Sequence, residues 1–125
     1  MSRIHDHEIN PANASITIEA DAPTQGNSSH VYTVTASDGC QLGVLRFQNG
    51  PVNATAADGN SNGVNGLTHE VLLAIILDRL RGFQSGHYAC RENALAITKL
   101  EEALQWMHWR TRGRQARGVE GTHEV

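Results

Sequence analysis

The chain has 125 residues, is 39% hydrophobic, and carries a net charge of −3 from 10 Lys+Arg against 13 Asp+Glu. That length fits one compact domain with a short accessory part, and the charge excludes the global basic field that drives binding to long nucleic acids. Cys40 and Cys90 form neither a C-x-x-C pair nor a disulfide framework, no apolar run approaches the ~20 residues that span a bilayer, and the opening Met-Ser-Arg-Ile-His-Asp lacks a signal peptide's apolar core. A cytosolic protein with reduced thiols is expected.

In chain order, residues 1–14 are polar and read as irregular, with Pro11 as a breaker. Ser15-Ile16-Thr17-Ile18-Glu19 alternates and predicts a short strand. His30 to Ala36 is rich in β-branched and aromatic residues and gives the strongest strand signal. Ser37-Asp38-Gly39 is a turn, and Gln41 to Gln48 is the return strand of a hairpin. Residues 49–66 contain Asn49-Gly50-Pro51, Asp58-Gly59 and Asn62-Gly63 and predict a linker between two modules. Thr68 is a candidate N-cap for a first helix, with Glu70 in its first turn. Val71, Leu72, Ile75, Ile76 and Leu80 recur at helical spacing, and Gly82 is a candidate terminator. A second helix is predicted from about Arg91 to at least Arg112, with a stripe of Ile97, Leu100, Leu104 and Met107 beside Trp106 and Trp109. The connection is short, so the two helices are antiparallel neighbours. The fold class is therefore α+β: a small N-terminal antiparallel sheet in a β-rich region over 1–65, then an antiparallel helical hairpin over 66–125.

The chemistry-bearing residues lie in the hairpin. Phe83, placed just after Gly82, serves either as a hydrophobic contact closing the corner or as a ring that stacks on a nucleobase. Asn93 opens the second helix and either caps it or addresses a base edge or ribose. Arg110, Arg114 and Arg117 share a face at i, i+4, i+7 spacing, while Arg112 points elsewhere. They either complement the helix dipole or hold phosphate oxygens with their planar forks. No nucleophile elbow surrounds Ser85, Tyr88 or Cys90, and the spacing of His5-Asp6-His7-Glu8 matches no closed zinc site. The combination points to a nucleotide binder with no cofactor and no metal.

Seventeen residues separate Asn93 from Arg110 on one helix, about 25 Å at 1.5 Å per residue. No mononucleotide-sized ligand spans that distance comfortably. A two-fold axis near Glu101 and Glu102 would bring Arg110 and Arg114 of one chain to Phe83 and Asn93 of another, creating two equal sites.

At these same residues the sequence resembles a known family. The blocks Gly82-Phe83-Gln84-Ser85-Gly86, Cys90-Arg91-Glu92-Asn93-Ala94-Leu95, Leu100 to Trp106, Arg110-Thr111-Arg112 and Arg117 to His123 are similar to the helical hairpin shared by the first Thoeris anti-defence proteins and the anti-CBASS cyclic-nucleotide sponges. The β-rich first half fits the Thoeris family better. The resemblance implies a phage protein of the host cytoplasm that sequesters glycocyclic ADP-ribose signals without cleaving them. Phe83 and Asn93 would then hold the adenine side, and Arg110 and Arg114 the pyrophosphate. It also implies homodimers assembling to a hexamer, and capture of cyclic di- and trinucleotides at separate sites, for which Arg91 is the candidate. Gly113 departs from the family pattern by interrupting the arginine ladder, at ~1 kcal/mol for a helix-interior glycine. A cyclic-oligonucleotide sponge alone, a signal-hydrolysing enzyme and a small DNA-binding protein are the alternatives.

Overall fold

A computed structural model describes residues 1–50 and 63–116. The elements are β1 (Ser2–Ile4), α1 (Pro11–Ala14), β2 (Thr17–Ala20), β3 (Val31–Thr35), β4 (Gln41–Arg46), α2 (His69–Gln84) and α3 (Arg91–Ala116). They form two compact units: residues 1–50 with 65–67, and the hairpin that starts at Thr68. The α+β class expected from the sequence is the one observed.

The first unit is a four-stranded antiparallel meander in the order β1-β2-β3-β4. Its register places Ile4, Ile18 and Val34 in one row and Ala20, Tyr32 and Leu45 in the next. Side chains alternate across a strand, so these six share one face. Ala20 is buried there, and the Tyr32 ring meets Phe47 edge-to-face at 5.5 Å. Leu42 is the extra residue where the β3–β4 register shifts, and it is 55% exposed. The hairpin turn has Gly39 at φ +87 and an Asp38 carboxylate accepting from the Cys40 N–H at 2.9 Å.

Two features of the N-terminal segment differ from the expected irregular chain. Ser2–Ile4 is a strand, formed by pairing with Ile18–Ala20. Pro11 opens a short helix, capped by Asn10, whose Oδ1 accepts from the Asn13 N–H. A proline at this position has no N–H to lose, so it starts a helical turn where a break was expected.

Asp21 links β2 to β3. Its carboxylate accepts from the backbone N–H groups of His30 at 2.9 Å and Val31 at 3.2 Å. Those two bonds hold its pKa below the ordinary carboxylate value.

Residues 65–67 return from the linker region and join the sheet. Phe47 and Leu67 form a parallel bridge, with Leu67 N–H on the Arg46 carbonyl at 2.7 Å and Gln48 N–H on the Leu67 carbonyl at 2.8 Å. Asn65 reinforces this by bonding both the N–H and the carbonyl of Asn49. The rest of the expected linker, 51–62, lies outside the described residues.

In the second unit α2 begins where Thr68 predicts, its hydroxyl accepting from the Val71 N–H. The six-residue connection folds α3 back along α2. The inward face is only partly the one periodicity indicates. Among the described residues of the hairpin Leu77, at 1% exposed, is the buried one; Leu72 and Leu80 of the expected face are half-buried, whereas Val71, Ile75 and Ile76 are exposed. The run Val71-Leu72-Leu73-Ala74-Ile75-Ile76-Leu77 is apolar all round, so helical spacing alone does not orient it. Arg81 pairs with Glu101 across the hairpin at 2.9 Å. No helix among the described residues is long and apolar enough to cross a membrane.

Candidate functional site

The hairpin tip is built from the last turn of α2, the connection 85–90 and the first turn of α3. Gly82 does not end α2. The helix runs on to Gln84 and stops at Ser85, whose N–H donates to the Arg81 and Gly82 carbonyls and whose hydroxyl donates to the Gly82 carbonyl. Phe83 is therefore a residue of the last helical turn and not of the corner beyond it, which corrects the expected placement.

The helix gives Phe83 a fixed setting. Arg79, one turn earlier, holds its guanidinium carbon 4.8 Å from the ring centroid, a cation–π pair at i, i+4 spacing. The Tyr88 ring meets Phe83 nearly perpendicularly, with centroids 5.9 Å apart. Phe83 is half-buried, while Tyr88 is 74% exposed. The tip thus presents two aromatic rings at right angles, not one.

Asn93 sits half-buried in the first turn of α3. Its Nδ2 reaches the Tyr88 carbonyl at 3.5 Å, at the limit of a hydrogen bond, and its N–H donates to Cys90 Sγ at 3.4 Å. Gln84 brackets Cys90 with two bonds, Nε2 to the carbonyl at 2.8 Å and Oε1 from the N–H at 3.0 Å. Tyr88 is the common neighbour of Phe83 and Asn93. The structure brings those two residues into one corner, with Arg91 exposed at the start of α3 beside it.

Arg110 is not part of this corner on the same chain. It lies exposed far along α3, which runs unbroken through Gly113 to Ala116 and carries Arg114 in its last turn. Arg117 falls outside the described residues. Trp106 and Trp109, on the same stretch of helix, are 69% and 63% exposed.

The N-terminal histidines have partners of their own. His5 Nδ1 lies 3.0 Å from Glu8, and His7 Nε2 donates to the Ile16 carbonyl at 2.7 Å. Among the described residues no group of three metal-ligating side chains gathers.

Three residues of the corner are given no part in it by the sequence reading: Arg79, Gln84 and Tyr88. Arg79 carries a visible signal, its i, i+4 spacing from Phe83. Gln84 and Tyr88 act across the connection and carry none.

Residues 43–112 match the family model described as the Acb2/Tad1 hairpin domain. That stretch contains Phe83, Arg91, Asn93 and Arg110. The chain is also 42% identical over 120 residues to Thoeris anti-defense 1 of Bacillus phage SBSphiJ7, an alignment covering 96% of this chain and 79% of that protein. Similarity therefore extends beyond the hairpin into the sheet. On both grounds the chain belongs to the Thoeris anti-defense 1 family and carries its Acb2/Tad1 hairpin domain.

Proposed function

We propose that this protein is a phage anti-defence sponge: in the host cytoplasm it binds glycocyclic ADP-ribose immune signals and withholds them intact. The observation that carries the reading is the Phe83–Tyr88–Asn93 corner, in a chain whose relative is named for Thoeris anti-defense. Aromatic faces suit a base, and an amide beside them suits its edge or the ribose. Phe83 and Asn93 hold the adenine side in this reading. Arg110 and Arg114 of a second chain hold the pyrophosphate.

If one ligand meets both Asn93 and Arg110, distance calls for a second chain. Along an unbroken α3, Arg110 lies about 25 Å from Asn93 at 1.5 Å per residue. An antiparallel neighbour closes that gap and yields two equal sites, and such dimers can assemble further to a hexamer. The exposed Trp106 and Trp109 supply apolar surface for the contact.

A sponge works by affinity. Suppressing a scarce messenger takes a nanomolar Kd, about −12 kcal/mol. Arginine–phosphate bonds at ~1.5–3 kcal/mol each and a stacked base at ~1–3 kcal/mol supply part of this. Enclosure in a preformed pocket supplies the rest.

The test uses protein exposed to lysate from Thoeris-activated cells, then washed and denatured. Mass spectrometry is expected to find intact glycocyclic ADP-ribose. Hydrolysed fragments would make the protein an enzyme, and no released nucleotide would end the reading. The second reading, cyclic di- or trinucleotide capture, rests on Arg91, which is exposed and joins no ion pair among the described residues. Released cyclic oligonucleotide whose yield falls in Arg91→Ala would support it.

A further inference from the structure

Gln84 ends α2 and Cys90 immediately precedes α3. The Gln84 amide and the Cys90 peptide groups exchange two hydrogen bonds, at 2.8 and 3.0 Å. Two bonds from one planar amide fix orientation as well as distance. This clamp closes the connection from Ser85 to Ala89. Cys90 then receives the Asn93 N–H, Asn93 reaches the Tyr88 carbonyl, and the Tyr88 ring meets Phe83. The contacts that join Phe83 to Asn93 all pass through the segment that Gln84 holds.

We infer that Gln84 is a positioning residue of the ligand site. It touches no ligand. It keeps Phe83, Tyr88 and Asn93 in one arrangement before ligand arrives, so that binding does not have to order the connection. Without the clamp, that ordering cost is taken from affinity. The inference rests on the ligand reading above and adds to it a residue and a mechanism.

Gln84→Glu separates positioning from bulk. When ionised, the carboxylate that this substitution introduces still accepts from the Cys90 N–H but meets the Cys90 carbonyl with a second acceptor, and the clamp opens. When protonated, the new carboxyl donates to that carbonyl, and the clamp closes. Of the two forms only the protonated one makes both bonds, so affinity in the variant is expected to recover as pH falls through the titration of that carboxyl.

The measurement is calorimetric titration of full-length protein with purified glycocyclic ADP-ribose at pH 7.5 and at pH 4.5, always as a ratio to wild type. At pH 7.5 Gln84→Glu is expected to bind about tenfold more weakly, as for one unmade hydrogen bond. At pH 4.5 the ratio narrows to within about threefold, because the bond is regained. Gln84→Ala, which cannot regain the clamp, stays weak at both. A Gln84→Glu ratio that is equal at the two pH values overturns the inference, as does wild-type affinity in Gln84→Ala. Wild-type protein that ignores the probe at both pH values overturns the ligand reading itself and any binding role for Gln84. Protection of the Cys90 amide from hydrogen exchange would then mark the clamp as an element of the fold alone.

Discussion

Phe83 and Asn93 are held by neighbours as well as by the helices that carry them. Arg79 lies over the Phe83 ring and Tyr88 meets it edge-on, while Asn93 reaches the Tyr88 carbonyl. Both are half-buried at the end of the hairpin, away from Leu77, the buried residue between the helices. Truncating them should therefore remove recognition and leave the fold. For Phe83→Ala combined with Asn93→Ala, calorimetric affinity for glycocyclic ADP-ribose is expected to fall about a hundredfold, from a lost stack of ~1–3 kcal/mol and lost charge-free hydrogen bonds of ~1 kcal/mol. The circular dichroism spectrum is expected to stay as in wild type. Unchanged affinity would show that the ligand binds elsewhere. Asp21 gives a residue-scale prediction for the sheet. Its folded pKa is depressed by the His30 and Val31 N–H groups, so its contribution to stability is present above the unfolded value of ~3.9 and is lost as pH falls through the folded one. Asp21→Asn keeps an acceptor oxygen and cannot titrate. Its melting temperature is expected to decline less steeply below about pH 4 than that of wild type, and parallel acid limbs would show that the carboxylate is immaterial.

Among the elements, the bridge that residues 65–67 make to the end of β4 depends on a single glycine. A Cβ on Gly66 would lie 2.6 Å from the Phe47 carbonyl carbon and oxygen and 2.7 Å from the Arg46 oxygen. All three are backbone atoms of the strand end that Leu67 pairs with, and they cannot move without breaking that pairing. Gly66→Ala is expected to cost about 1–3 kcal/mol, the usual range for forced overpacking, and to lower the thermal midpoint. An unchanged midpoint would show that the bridge is dispensable. In the sequence Gly66 is one more small residue in a polar stretch, because its role is set by Arg46 and Phe47, some twenty positions away. The same distinction separates the other elements. β3, β4 and the Asp38-Gly39 turn are legible because alternation and turn chemistry are local, and so is the Thr68 cap. β1 is not, since Ser2-Arg3-Ile4 becomes a strand only against β2. The end of α2 is misread from the sequence because glycine in a helix's last turn is tolerated when the next residues cap it, as Ser85 does here. At the candidate site, Phe83 and Asn93 are marked by local signals. Tyr88 and Gln84 are not, because each acts on a residue across the connection.

On the scale of the whole molecule, the described residues contain two buried hydrophobic side chains, Ala20 and Leu77, against exposed Trp106, Trp109, Ile75 and Val71. A core this slight is the condition under which small chains associate. If association also builds the binding site, each site needs Phe83 and Asn93 from one chain and Arg110 from another. The consequence can be tested with two inactive variants. Phe83→Ala keeps its arginines, and Arg110→Ala keeps its ring. Either alone forms dimers in which both sites are defective. When equal amounts are unfolded and refolded together, half of the dimers pair unlike chains. In those, one site receives the intact Phe83 of one chain and the intact Arg110 of the other, and its twin receives neither. Roughly one quarter of the wild-type number of sites should therefore return at wild-type affinity, as the two-fold symmetry requires. Calorimetry reads this directly as stoichiometry. A site contained within one chain predicts no recovery at any mixing ratio, because neither variant then holds a complete set of contacts.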